Sequence, residues 1–121
     1  MIGAIIGDIA GSRFEFNPTN NEHFELFTPQ CDYTDDTICT VAIADAIMTR
    51  YNDFRGSLLY WCNKYAKPMG GFGGRFLQWL HNPVPYDSMG NGAAMRVSSV
   101  GWIANSEEDV KYFSRLVTEV S

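Results

Sequence analysis

The chain has 121 residues, 45% of them hydrophobic and 19% charged, which is enough for one compact domain and argues against disorder. Its net charge of −5 argues against a nucleic-acid partner, because proteins that bind a nucleic-acid backbone normally carry a basic stripe, but it leaves a phosphate-bearing small molecule open. The three cysteines, Cys31, Cys39 and Cys62, form no Cys-x-x-Cys pair and indicate reduced thiols in a cytoplasmic protein.

The N-terminal segment is apolar, but it lacks a basic region and reaches Asp8 early, so we expect no signal peptide. No apolar run has the length of a membrane span, so we expect no membrane partner.

The first half of the chain predicts two helices joined by a loop. Residues 1–11 predict a buried helix, whose glycines lower helix propensity and call for close packing against another element or a ligand. Residues 17–33 contain prolines and asparagines and predict a loop. Thr34 or Asp35 is predicted to cap a helix that runs to about Tyr51. This helix is apolar nearly all round, which predicts a central, buried position.

The second half alternates short helices and loops. Helices are predicted over residues 54–66 and 74–80, from Asn91 or Gly92 to about Ala104, and from Ser106 to the final residue, with loops at 68–74 and 82–90. Asp109, three residues after Ser106, resembles the third helical position of a capping box. The pattern shows no strand alternation and predicts an all-α fold in a single domain, residues 1–121. The last helix has no stop signal, so we expect the chain to be truncated.

The tetrad Thr34-Asp35-Asp36-Thr37 has two interpretations. Thr and Asp are favoured helix caps, and acidic residues in a first turn suit the helix dipole. Alternatively, two adjacent carboxylates beside hydroxyls could hold a hard divalent cation, which prefers oxygen ligands. The second Asp and the buried character of the following helix favour the metal site.

Asp8 lies in a stretch of small and apolar residues, and a buried Asp needs hydrogen bonds or a cation. It could be a structural residue satisfied by backbone amides and Arg13. Alternatively, Asp8 and its neighbour Glu15 could belong to a cleft, with Glu15 at the mouth as an acid/base carboxylate. The residues alone leave both interpretations open.

Two glycine-rich segments also have two interpretations each. Residues 70–75 could cradle a phosphate or form a flexible turn, and the usual interpretation is the turn. Residues 88–92 could be a simple turn or a helix start whose amides face an anionic ligand. The apolar context of Arg96 favours a buried residue that pairs with Asp8 or Asp36.

The isolated histidines and the tryptophans are not expected to form a site. His23 and His81 have no metal-like spacing and are predicted to lie at the surface. The three tryptophans are predicted to be core residues: Trp61, Trp79 and Trp102.

Taken together, these segments resemble the ADP-ribosylglycohydrolase family, which includes the dinitrogenase-reductase-activating glycohydrolases. The matching segments occur in the order of the family and span nearly the whole chain. They are Gly3–Gly11 with Glu15, Tyr33–Thr37, Gly71–Phe76 with Trp79 and Leu80, and Gly90–Arg96 with Val100, Gly101 and Trp102.

The resemblance implies the N-terminal portion of a compact orthogonal helix bundle and a binuclear centre of magnesium, sometimes manganese. It also implies hydrolysis of the glycosidic bond between ADP-ribose and a protein side chain or related acceptor. By position, Thr34, Asp35 and Asp36 would be metal ligands. Asp36 and Glu15 would be catalytic, and Asp8 would support the site. The residues that would bind the substrate are Gly71, Phe72, Gly73, Gly74, Ser88, Gly90, Asn91 and Gly92.

One departure from the family limits this transfer. A second metal motif, Asp-x-Asp-Thr/Ser, and a His-containing helix lie near the C-terminus of the family and are absent here. One Thr and two Asp provide too few oxygens for two hard cations. We therefore expect this chain to supply part of an active site for ADP-ribose or an ADP-ribosylated protein.

Two alternatives belong to other classes. The chain could be a catalytically inactive remnant that binds ADP-ribose or assembles as an oligomer, or a structural fragment without a ligand. Helices that a missing half would normally cover should expose apolar surface, which predicts a homo-oligomer or a complementary chain.

Overall fold

The computed structural model describes residues 1–49 and 52–121. Within these ranges the chain is all-α, as predicted, and contains no strand. The helices are α1 (Ile2–Gly11), α2 (Asp35–Thr49), α3 (Phe54–Lys64), α4 (Gly74–His81), α5 (Gly92–Met95) and α6 (Glu107–Thr118), with 3-10 segments at Ser12–Phe14 and Val97–Trp102. No helix in the described ranges is both long and apolar enough to cross a membrane.

Helix α2 is the centre of the fold, as its composition predicts. It packs most extensively against α3 and also contacts α1, α5 and the 3-10 segment Val97–Trp102. Its buried residues are Ile38, Cys39, Thr40, Ala42, Ile43, Ala44 and Ala46. The end predicted near Tyr51 lies outside the described residues.

The start of α2 is fixed by side chains from two parts of the chain. Thr34 is the N-cap, and its hydroxyl oxygen accepts a hydrogen bond from the amide of Asp36 at 3.2 Å. The carboxylate of Asp8, from α1, accepts hydrogen bonds from the amides of Thr34 at 3.0 Å and Thr37 at 3.2 Å. The hydroxyls of the same two threonines donate to it at 2.5 and 2.6 Å. Asp8 therefore satisfies orphan amides of α2 and joins α1 to it.

The prediction that α1 is buried is wrong. Only Ala10 is buried, while Ile2 and Ile6 are 69% and 44% exposed. An apolar sequence favours burial, but within the described ranges α2 is the only other α-helix on which α1 packs extensively. A side-chain carbon would meet nothing within 4 Å at the three glycines of α1, Gly3, Gly7 and Gly11.

The helix predicted from Asn91 or Gly92 to Ala104 is wrong in its length. Helix α5 ends at Met95, and the chain continues as the 3-10 segment Val97–Trp102. Gly101 and the β-branched Val97 and Val100 have low helix propensity, so this sequence supports a short 3-10 segment rather than a longer α-helix. Trp102 is 79% exposed, so its assignment to the core is also wrong.

The other tryptophans and the histidines agree with the sequence. Trp79 is buried and Trp61 is half-buried, with its indole nitrogen donating to Asp45 at 2.9 Å. His23 and His81 are both exposed. The three cysteines are free thiols.

Arg96 is buried, as predicted, but its partners differ from those expected. Its Nη2 donates to the carbonyl oxygen of Val117 at 2.8 Å and to the hydroxyl of Ser121 at 2.9 Å, not to Asp8 or Asp36. It therefore ties the end of α5 to the end of α6.

Helix α6 begins as predicted and ends earlier. The hydroxyl of Ser106 accepts a hydrogen bond from the amide of Asp109 at 3.1 Å, as in a capping box. The Asp109 carboxylate, however, accepts a hydrogen bond from the amide of Asn105 and not from that of Ser106. The helix ends at Thr118, before the final residue.

Asp8→Ala should lower the free energy of unfolding by about 2–3 kcal/mol, because it removes four hydrogen bonds to a charged acceptor. Urea unfolding at neutral pH measures the change. Ser106→Ala, which removes an ordinary cap of α6, should cost about 1 kcal/mol and is the control. A loss for Asp8→Ala no larger than that of the control would contradict the capping role.

Candidate active site

A cleft of about 850 Å³ opens beside the N-terminus of α2. Its walls come from the second half of α1, the first turn of α2, the glycine loop 70–74 and the segment 86–96. Every predicted site residue lines it: Glu15, Thr34, Asp35, Asp36, Gly71, Phe72, Gly73, Gly74, Ser88, Gly90, Asn91 and Gly92. Segments separated by tens of residues thus meet at one place.

One wall of the cleft is acidic. Asp35 and Asp36 are half-buried in the first turn of α2. Burial, which removes water from the carboxylate, raises the pKa of Asp35 from 3.8 to about 6, and repulsion from Asp36, Glu15 and Asp8 adds to the increase. Burial and the charge of Asp8 also raise the pKa of Asp36. No ion pair joins either aspartate to a cationic side chain within residues 1–49 and 52–121.

Asp8 lies in the cleft but its oxygens are already engaged by Thr34 and Thr37. The predicted partner Arg13 is wrong. The guanidinium of Arg13 donates instead to the Thr28 hydroxyl at 2.8 Å and to the carbonyl oxygen of Glu25, and so holds the loop after α1. Asp8 therefore supports the acidic wall and is not a free ligand.

Thr34 is 4% exposed and is engaged twice through its hydroxyl group. The group donates to Asp8 and accepts the amide of Asp36. A hydroxyl oxygen has two lone pairs, so one remains available for a cation.

Glu15 stands opposite the aspartates, against the glycine loop. Gly70 has a φ of +79°, a left-handed conformation that disfavours other residues. A Cβ atom there would lie 2.7 Å from Oε2 of Glu15. Sequence reasoning treated residue 70 as part of a turn and missed this contact, although the Gly70-Gly71 pair signals positive φ angles, and Gly71 indeed has a φ of +76°.

The residues between 86 and 93 that line the cleft carry no charge, and they are here called the neutral wall. The amide of Gly90 bonds to the Ser88 hydroxyl at 3.1 Å, and Asn91 precedes α5, which has only four residues. The segment is therefore a turn that lines the cleft, and the interpretation that its amides face an anionic ligand stays a prediction. Arg75, at the start of α4, also lines the cleft; sequence reasoning included it in the segment 70–75 but gave it no role of its own.

The family model for ADP-ribosylglycohydrolase matches residues 1–121. The chain belongs to the ADP-ribosylglycohydrolase family. This confirms the resemblance drawn from the motifs and indicates a hydrolase by resemblance. Comparisons with curated proteins and with solved structures found no significant match.

The donors of this family member fit one hard divalent cation. In the described part of the chain, no group of three or more His, Cys, Asp or Glu residues is arranged to hold a metal. Two carboxylates and a hydroxyl nevertheless suffice for Mg²⁺, which is commonly held by one or two carboxylates with water as the remaining ligand. Asp35, Asp36 and Thr34 would supply that set for one cation, and they would not supply a second set.

Relative to the wild type, Asp35→Asn should have a higher free energy of unfolding at neutral pH than at acid pH. Between 3.8 and about 6 the folded protein keeps a proton on Asp35 that the unfolded chain loses, so this carboxyl's contribution to the free energy of unfolding falls as pH rises through that window. Asparagine does not titrate. The urea midpoints of both proteins, measured with a chelator at about pH 4 and about pH 7.5, test this expectation. A difference between variant and wild type that is the same at both pH values would contradict it.

Gly70→Ala should lower the free energy of unfolding by roughly 1–2 kcal/mol through its left-handed backbone alone, with a further loss from the contact with Glu15. Gly73→Ala is the matched control, because Gly73 has a φ of −56° and open space around it. In a Glu15→Ala background, Gly70→Ala should cost less, because the contact is gone. An equal cost in both backgrounds would show that residue 70 and Glu15 do not touch.

Proposed function

We propose that this chain forms the metal-binding wall of an active site that hydrolyses the glycosidic bond between ADP-ribose and a protein side chain or related acceptor. The observation that carries the proposal is the meeting of Asp35, Asp36 and Glu15 in one cleft with the glycine loop. Family membership supports the reaction class, and the lining of the cleft supports the roles proposed below for the chain's own residues.

Asp35, Asp36 and Thr34 would hold Mg²⁺ or Mn²⁺. Their half-buried carboxylates repel each other without a cationic neighbour in the described ranges, and this repulsion favours binding of a cation. A divalent cation in such a site orients ribose hydroxyls and stabilises negative charge on oxygen. The protein would keep the two aspartates in place through the Asp8 cap.

Glu15 would provide the acid/base carboxylate, together with Asp36. Glycoside cleavage passes through an oxocarbenium-like state and requires carboxylates held close to the scissile bond. Glu15 is exposed to the cleft and Gly70 lies directly against its Oε2, so the space for this side chain is set by the glycine loop. Burial and the charge of Asp8 raise the pKa of Asp36, so this carboxyl binds a proton more readily than a free aspartate does.

The glycine loop and the neutral wall would receive the ADP-ribose. The volume of about 850 Å³ lies within the range of about 300–1,000 Å³ typical of small-molecule pockets. Backbone without side chains at Gly71, Gly73 and Gly74 permits close approach of a ligand. The diphosphate would lie along the neutral wall, with polar contacts from Ser88 and Asn91.

A second candidate function is binding of ADP-ribose without turnover, alone or in an oligomer. The donor set for a single cation favours it, because the reaction of this family would then need further ligands from outside the described residues. Exposed apolar side chains on α1, Ile2 and Ile6, and Trp102 favour association. A mass that rises with protein concentration in analytical ultracentrifugation would support the oligomer.

Calorimetric titration with Mg²⁺ and then with ADP-ribose tests the proposed function. Binding of Mg²⁺ should be lost in Asp35→Asn and in Asp36→Asn, because each removes a carboxylate ligand. Asp53→Asn is the control, since Asp53 caps α3 away from the cleft and asparagine is an equally good cap.

An assay of ADP-ribose released from modified protein separates the two candidates. Mg²⁺-dependent release supports the hydrolase, and binding of ADP-ribose without release supports the inactive binder. Absence of binding of both ligands by the unaltered chain would overturn both candidates.

A further inference from the structure

Residues 83–90, here called the 83–90 segment, join α4 to the turn before α5 and form much of the neutral wall of the cleft. The segment has little internal structure. Its backbone hydrogen bonds among the described residues are local: the amide of Val84 donates to the carbonyl oxygen of Asn82 at 2.8 Å, and that of Gly90 donates to the Ser88 hydroxyl at 3.1 Å. Nothing in these contacts holds the segment against the rest of the fold.

Arg75 makes the one hydrogen bond, among the described residues, that joins the 83–90 segment to a distant part of the chain. Its Nη1 donates to the carbonyl oxygen of Asp87 at 2.5 Å. Its guanidinium carbon also lies 4.8 Å from the centre of the Tyr86 ring, within cation–π distance. The Tyr86 ring is half-buried and packs against the core. Arg75 and Tyr86 together therefore hold the segment by a polar and an aromatic contact.

The segment borders two cavities. A second cavity of about 670 Å³ adjoins it, and Tyr86, Ser88 and Gly90 line both this cavity and the cleft. A shift of the segment would therefore change the shape of both. The contacts of Arg75, together with the packing of Tyr86 on the core, hold the neutral wall in this position.

We infer that Arg75 is a positioning residue, which holds the 83–90 segment as the neutral wall of the cleft and thereby sets the affinity for ADP-ribose. The inference rests on the proposed function for the identity of the ligand. Arg75 is exposed and its contacts are with the segment, so it acts through Tyr86 and Asp87.

Arginine suits this role better than lysine. A planar guanidinium can lie over a ring and donate in its plane to a carbonyl oxygen at the same time. The ammonium of lysine is a point charge that would keep the charge of this position but lose the combined contact. Comparing arginine with lysine at position 75 therefore distinguishes positioning of the segment from simple attraction of a phosphate.

Limited proteolysis tests the positioning itself. Chymotrypsin cleaves after aromatic residues, and cleavage after Tyr86 requires release of the segment. In Arg75→Gln the rate of cleavage after Tyr86, relative to cleavage after the 76% exposed Phe16, should rise about tenfold, the change expected for loss of one such charged contact. Arg55→Gln removes an exposed arginine of α3 outside the cleft and should leave the ratio unchanged. An unchanged ratio in Arg75→Gln would overturn the inference.

Calorimetry with ADP-ribose tests the consequence for binding. Arg75→Gln should weaken binding about tenfold and Tyr86→Leu should also weaken it, and the double variant should lose less than the sum of the two, because both changes break the contact between Arg75 and the Tyr86 ring. Arg75→Lys should remain weakened. Wild-type affinity in Arg75→Lys, or additive losses in the double variant, would overturn positioning.

The two proposals fail differently. If the unaltered chain does not bind ADP-ribose, the proposed function is overturned, and the part of the inference about affinity falls with it. The proteolysis ratio still decides whether Arg75 holds the segment. If ADP-ribose binds and the ratio does not change, the proposed function stands and the inference fails.

Discussion

The hydrogen bonds from Thr34 and Thr37 to the carboxylate of Asp8 are the interaction on which the rest of the site depends. In an ordinary capping box, the cap and a residue one turn later satisfy each other's amides. Here the Asp8 carboxylate of α1 accepts hydrogen bonds from the amides and the hydroxyls of both threonines. A local helix signal has therefore become a tertiary contact. It fixes where α2 begins, and this places Asp35 and Asp36 in the cleft.

The same contact creates an electrostatic conflict. The N-terminus of a helix favours negative charge, and this stabilises the carboxylates of Asp8, Asp35 and Asp36 beside the first turn of α2. Yet the half-buried carboxylates have lost part of their hydration and repel each other, which raises the pKa of Asp35 to about 6. A structure built only for stability would place a lysine or arginine nearby, whereas the guanidinium of Arg96 is directed to Val117 and Ser121. On the proposed function, a cation from solution would relieve this repulsion, so stability would be reduced where a ligand binds.

The sequence predicted what depends on local pattern. The apolar character of α2, its cap at Thr34 and the order of the motifs gave the central helix and the residues of the cleft. It could not predict what depends on distant partners. The composition of α1 shows that it is apolar but not whether an element covers it, and a buried Arg96 could have satisfied its donors with any nearby carbonyl oxygen. The contact of Gly70 with Glu15 joins segments 55 residues apart. The sequence indicated only that the glycine pair could adopt positive φ angles, as it does.

The central claim is that the capped first turn of α2 is a cation site. Paramagnetic broadening by Mn²⁺ in a two-dimensional amide NMR spectrum tests it most directly, because the effect falls steeply with distance from the ion. At substoichiometric Mn²⁺, the amide signals of residues 34–37 and of Asp8 should broaden first, followed by those of Gly70 and Gly71. Broadening that begins instead at Glu107, Glu108 and Asp109, the acidic first turn of α6, would show nonspecific attraction to surface carboxylates and contradict the claim.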